Sequence, residues 1–467
     1  MLFLLVGINL VTSVAIFALP SENTKLPRSL ATAAAAISLA ISIVIFATYD
    51  REVGGYQFQQ LLDWLPAMGI SLHFGVDGIS SPMVLLTGVV SLTAILVSRT
   101  IDTRPREYFG LMLLLIAGTF GVFVALDLFF LFFFYEVAVL PMFLLIGLWG
   151  STRKSYASMK LVMFLLAGSI LVWVAILVLY VEAGMNSFNI LELEEAGVDA
   201  TVARVLFPVF YVGFGILAGM WPFHTWSPDG HVAAPTAVSM LHAGVLMKLG
   251  AYGIIRVGMQ LAPEGASHWL GIFLVLAVVN VIYGALSAMA QRDLKYVIGY
   301  SSVSHMGYVL MGIGSMTVVG MNGAVLQMFS HGIMTALFFA MVGVLYDRSH
   351  TREISAFSGM AKVMPKFSVL FIIGGLASLG LPGLSGFAAE FLVFVGTFNT
   401  APWLAVLGII GVAITATYIL RLIARMFFGP VSPQWKDLSD ANRLETTAGV
   451  FLVGLLVLFG IYPQLMV

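Results

Sequence analysis

Apolar residues run through this chain in long blocks, from "MLFLLVGINLVTSVAIFALP" at the start to "TTAGVFLVGLLVLFGIYPQLMV" at the end. A helix rises about 1.5 Å per residue, so blocks of roughly 18 residues or more are long enough to cross about 30 Å of hydrocarbon. Their spacing predicts fourteen spans, centred near residues 10, 38, 88, 116, 138, 168, 213, 245, 278, 304, 332, 382, 414 and 455. The connection 49–77 is long. Its "GISLHFGVDGIS" alternates in a strand-like way, which predicts a short hairpin outside the membrane. The first block has no basic leader and no small-residue cleavage site, so it reads as a retained span beginning at Met1.

Two of the spans are interrupted. The seventh ends in "AGMWPFHTWSPDGHVAAP", residues 218–235, and the twelfth carries "GLPGLSG", residues 380–386, in its middle. Proline and clustered glycine at membrane depth free backbone amides and carbonyls, which is tolerable only where protein or water satisfies them. Paired interruptions five spans apart are what two related five-helix units would give, and they point to a transport site.

Charge in the connections sets the orientation. Of the 22 basic residues, eighteen fall in odd-numbered connections, among them Arg99, Arg153, Lys295, Arg352 and Arg425. Three, Arg51, Arg204 and Arg256, fall in even ones, and Lys248 lies inside a span. The positive-inside rule then places odd loops in the cytoplasm and both termini outside.

Charges set inside the apolar blocks are the candidate chemistry. Glu136, in "LFFLFFFYEVAVLPMFLLIGLW", is about 12 Å from the nearer end of its helix, beyond the reach of a snorkelling carboxylate. Lys248 sits at similar depth in "MLHAGVLMKLGAYGIIR", and Glu390 follows the second interruption in "GFAAEFLVFVG". An ionised group at the bilayer centre costs on the order of 3 kcal/mol or more, and such groups mark ion paths and proton relays. The plainer reading is a static buried pair or a hydrogen-bonded clamp between helices. His305, in "YSSVSHMGYVL", has Ser301 one turn earlier, while Gln327, His331 and Thr335 share one helical face. These histidines are either relay stations or structural hydrogen-bond partners. His224, Asp229 and His231, with His242 further on, lie near the seventh-span interruption and form a polar entrance or stabilise its turn. No histidine pair has metal-ligand spacing together with a carboxylate.

Composition narrows the classes further. The chain has 467 residues, 60% hydrophobic and only 10% charged, which leaves no room for a soluble domain. Without cysteine it has no thiolate for an iron–sulfur cluster, and no Gly-rich phosphate loop follows a strand, so any redox chemistry belongs to partners. A net charge of −1 argues against nucleic acid.

Several of these segments, "GVDGIS", "FYEVAVLPMF", "PFHTWSPDGHVAAPTAVSMLHAGVLMKLGAYGIIR", "YSSVSHMGYVLMGI", "SHGIMTALFF" and "LPGLSGFAAEF", resemble the antiporter-like membrane subunits of respiratory complex I, of the subunit M (chain 4) type. The resemblance implies an all-α integral membrane protein of about fourteen helices. It implies two inverted five-helix repeats with helices 7 and 12 broken: an N-terminal segment 1–100, halves at 107–258 and 268–428, and a last helix at 445–467. It also implies a large complex in a lipid bilayer whose other membrane-arm subunits and partners carry flavin, iron–sulfur clusters and quinone, with no cofactor in this chain. Proton transfer would then be carried by Glu136 on the fifth helix, Lys248 on the eighth and Glu390 on the twelfth. The family's seventh-helix lysine is missing, and Leu217 stands in that place. Glu136 is thereby expected to lose its usual cation. Three readings remain open: a substitute such as His242 or a group from a neighbour, a modified path through Lys248 and Glu390, or a spacer that does not pump. Membership in a sodium/proton antiporter or a membrane-bound hydrogenase remains the rival assignment.

Overall fold

The computed structural model describes residues 1–20, 23–98 and 101–466, so Arg99, one of the loop charges, lies outside the described residues. Because hydrocarbon offers no partner to backbone polar groups, each apolar block closes its own hydrogen bonds as a helix. In chain order the helices are α1 (Leu2–Phe17), α2 (Leu26–Thr48), α3 (Ser80–Val97), α4 (Pro105–Val124), α5 (Leu128–Trp149), α6 (Lys154–Glu182), α7 (Ile190–Ala196) and α8 (Ala200–Ala218). They continue as α9 (Trp226–Ala233), α10 (Thr236–Leu241), α11 (Met247–Gly253), α12 (Pro263–Met289), α13 (Leu294–Gly314) and α14 (Val318–Ser349). The last are α15 (Met360–Val363), α16 (Pro365–Ser378), α17 (Ser385–Thr400), α18 (Pro402–Phe427) and α19 (Arg443–Ile461).

Among the described residues, eleven helical spans are long and apolar enough to cross a membrane. Helices α1 and α16 are apolar but shorter, at 16 and 14 residues. Helix α13 has the length, 21 residues, but carries three serines, His305 and Lys295.

The chain divides into two compact units. The first comprises Met1–Ile95, Arg99–Gly219 and Val245–Gly271. Its centre is α4, almost wholly buried and packed by α1, α2, α5 and α11. The expected hairpin is present, with β1 (Gln57–Leu65) antiparallel to β2 (Ile70–Val76) and Leu61 opposite His73. Gly69 closes its turn at φ +66°, and a Cβ there would collide with the Asn186 carbonyl, so only glycine fits. Asp127, the N-cap of α5, accepts from the Ser71 and Phe130 amides at 3.0 and 3.1 Å and ties the hairpin to the helix. The "GVDGIS" motif is likewise structural. Asp77 accepts from the Ile79 and Ser80 amides and pairs with Arg256, whose guanidinium lies over the rings of Tyr56 and Tyr252.

The second unit comprises Leu96–Ser98, Met220–Gly244 and Ile272–Val467. Helix α14, 32 residues long and buried along most of its length, forms its axis, with α10, α13, α16, α17 and α19 packed around it.

Candidate functional site

The second interruption builds a buried polar cluster. Helix α16 stops at Ser378, the chain runs irregularly through 379–384, and α17 restarts at Ser385. Glu390, 4% exposed, lies early on α17 and directs Oε1 to within 3.4 Å of His305 Nδ1 on α13. The Gln327 amide of α14 lies 3.2 Å from the same nitrogen, and the Ser378 hydroxyl of α16 is 3.1 Å from His305 Nε2. The ring of His331 stands 5.4 Å from that of His305. Gly380 sits at φ +74° with the carboxylate against it: a Cβ there would lie 2.9 Å from Glu390 Oε2. Helices α14, α16 and α17 thus each bring a polar group to one histidine on α13. An imidazole that meets a hydroxyl on one nitrogen and a carboxylate on the other can accept a proton from one side and release it to the other. One turn before His305, Ser301 accepts from the Tyr418 hydroxyl of α18 at 2.9 Å.

In the first interruption the Trp221 amide finds its partner inside the second unit. The Trp221 amide donates to Asn280 Oδ1 at 2.7 Å, and Asn280 Nδ2 donates to the Val303 carbonyl at 2.9 Å. Just beyond it, α9 ends with its carbonyls capped. Arg352 donates to Val232 O at 3.2 Å and Lys295 to Ala234 O at 2.7 Å, while Arg352 also pairs with Asp293. Within this frame His231 and His242 face each other with ring centres 4.0 Å apart, and Trp226 stacks on His242 at 5.2 Å. Both imidazoles are fully buried. His224 instead packs edge-on against Tyr283, and half-buried Asp229 accepts from the Tyr296 hydroxyl at 3.1 Å. The residues expected at one polar entrance therefore form an inner histidine stack and two outer contacts.

In the first unit Lys248 is completely buried on α11. Both neighbours of that short helix are π-helical turns, His242–Leu246 before it and Ile254–Met259 after it, of the kind that recurs at functional positions. Leu217 is completely buried on α8, the helix that α11 packs against. Glu136 is half-buried on α5, has the Ser169 side chain as its polar neighbour, and forms no ion pair among the described residues.

The structure thus joins Glu390, His305 and His331 with Gln327, and His231 with His242. It leaves Glu136 apart from any cation among the described residues. Three features give no signal in the sequence pattern. Ser378 and Asn280 are short polar residues in apolar helices, with no telling spacing. Lys295 and Arg352 read as loop charges but are 4% and 8% exposed, spent on the carbonyls of an interrupted span. The π turns leave no compositional trace.

Interrupted spans with ionisable groups buried beside them define a polytopic membrane protein of the transporter type. The match to known proteins is more specific. The family pattern described as "NADH:quinone oxidoreductase/Mrp antiporter, TM" covers residues 125–415, and the chain belongs to that family. It is 39% identical to "NADH-quinone oxidoreductase subunit M" of Rhodobacter capsulatus, over 92% of this chain and 86% of that one. It is 37% identical to "NAD(P)H-quinone oxidoreductase chain 4 2" of Thermosynechococcus vestitus, over 96% and 86%. A chain of respiratory complex I from Thermus thermophilus superposes with a TM-score of 0.92 at 30% identity, covering 99% of this chain and 96% of that one.

Proposed function

We propose that the chain is a proton-translocating membrane-arm subunit of an NADH:quinone oxidoreductase, in which quinone reduction in other subunits drives charge rearrangement through Lys248 and Glu390. The observation that carries this reading is the Glu390–His305 contact, held at 3.4 Å beside an interrupted helix and ringed by Gln327, Ser378 and His331. A static clamp between helices needs one hydrogen bond; this cluster offers a series of exchangeable proton positions.

Flavin, iron–sulfur clusters and quinone belong to partner subunits in this assignment, since a chain without cysteine offers no thiolate. The orientation is that of the loop charges, with both termini periplasmic in a bacterial inner membrane. Fourteen crossings result when α1, α13 and the α16–α17 pair are added to the eleven long apolar spans. The halves 107–258 and 268–428 are its two antiporter-like repeats.

Buried Leu217, with Glu136 lacking a cation among the described residues, favours a second reading: a spacer that transmits motion without pumping. The intact complex in proteoliposomes separates the two. Lys248→Ala should lower the protons moved per electron or block coupled turnover, measured as acidification against NADH oxidised. Unchanged stoichiometry and rate would establish the spacer.

A further inference from the structure

A cavity of about 430 Å³ opens in the second unit where α12 ends and α18 runs into its last turns. Arg292, Arg421 and Arg425 line it, with Glu353 as the one acid. All three arginines are exposed, and none of their guanidinium groups makes an ion pair or hydrogen bond among the described residues. Glu353 is occupied by the Ser355 hydroxyl at 2.6 Å. The inner wall includes Tyr418, whose hydroxyl is committed to Ser301. The cavity therefore presents an uncompensated excess of positive charge.

Apolar wall continues from it. Along α18, Val406, Ile409, Ile410 and Leu420 are exposed at 44–51%. On α12, Ile272, Val275 and Leu286 are exposed at 45–56%. Both helices carry these side chains along their membrane-spanning length, and both contribute their C-terminal turns to the cavity, through Ala288 and Met289 on α12 and Arg421 and Arg425 on α18. A ligand matching both parts has a negative head and long hydrocarbon tails.

We propose that this cavity binds the phosphate headgroup of an anionic phospholipid, with the acyl chains lying against the exposed faces of α12 and α18. Arginine forks suit phosphate oxygens bidentately, and basic pockets between helices at the membrane surface take such headgroups. The inference goes beyond the transport reading and does not depend on it. Each basic side chain near an anionic headgroup favours it by about fivefold, so Arg421 and Arg425 together contribute roughly twenty-five-fold.

The test uses the intact complex in phosphatidylcholine vesicles doped with a photoactivatable lipid, either phosphatidylglycerol or phosphatidylcholine, and peptide mapping of the crosslinks. The expected result is phosphatidylglycerol attached around residues 286–292 and 418–425, well above phosphatidylcholine and undiminished by millimolar inorganic phosphate. It should fall by at least tenfold in the Arg421→Gln/Arg425→Gln variant, while crosslinks elsewhere on this chain report that the variant is assembled. Equal labelling by both lipids would overturn the proposal. So would displacement by free phosphate, which would make this a soluble-anion site, and so would absent labelling, which would mean a neighbouring subunit covers the face.

Discussion

Glu136 and Glu390 look alike in sequence, each a lone acid in an apolar helix, yet their surroundings differ. Glu390 meets His305 at 3.4 Å in a cluster fed by four helices, whereas Glu136 has a serine beside it and no cation among the described residues. In the intact complex, Glu390→Gln should lower the proton-to-electron ratio as Lys248→Ala does, since an amide keeps the shape but cannot carry the proton. Glu136→Gln should leave the ratio unchanged. Equal losses from the two substitutions would mean that Glu136 has a partner in a neighbouring subunit. Depth in an apolar block made the candidate acids legible from sequence, because a charge there is costly and conspicuous. Which of them has company depends on residues far along the chain, such as His305 for Glu390, and on small polar side chains without periodicity, such as Ser378.

Elements were more legible than residues. The two interruptions fall at 219–225 and 379–384, overlapping the proline and glycine clusters that predicted them, because those residues cannot sustain the helix ladder. The hairpin also stands where alternation placed it, with β2 at Ile70–Val76. What the pattern could not show was how an interrupted span satisfies its freed backbone, since those partners lie on other elements. Lys295 is the clearest instance, donating 2.7 Å to the Ala234 carbonyl from the first turn of α13. Lys295→Met leaves that buried acceptor without its charged donor and should cost about 1–3 kcal/mol. Lys362→Met, at an exposed position, should stay within about 0.5 kcal/mol. Thermal unfolding of the purified complex, followed by loss of this subunit, measures both; equal effects would mean that water caps the carbonyl.

For the whole molecule, basic residues concentrate in alternate connections, and the absence of cysteine makes their sidedness directly measurable. Arg51→Cys should react with an impermeant maleimide in right-side-out vesicles, and Arg153→Cys only in inverted ones. The opposite pattern would reverse the orientation. Lys248 lies on seven residues of α-helix bracketed by two wide turns. A wide turn holds one residue more than an α turn, so if the first tightened to α pitch, the segment after it would rotate by about 100°. The second could absorb that rotation and keep the remainder of the span in place. Such a change of pitch would turn Lys248 toward different side chains and shift it by about 1.5 Å along the helix axis.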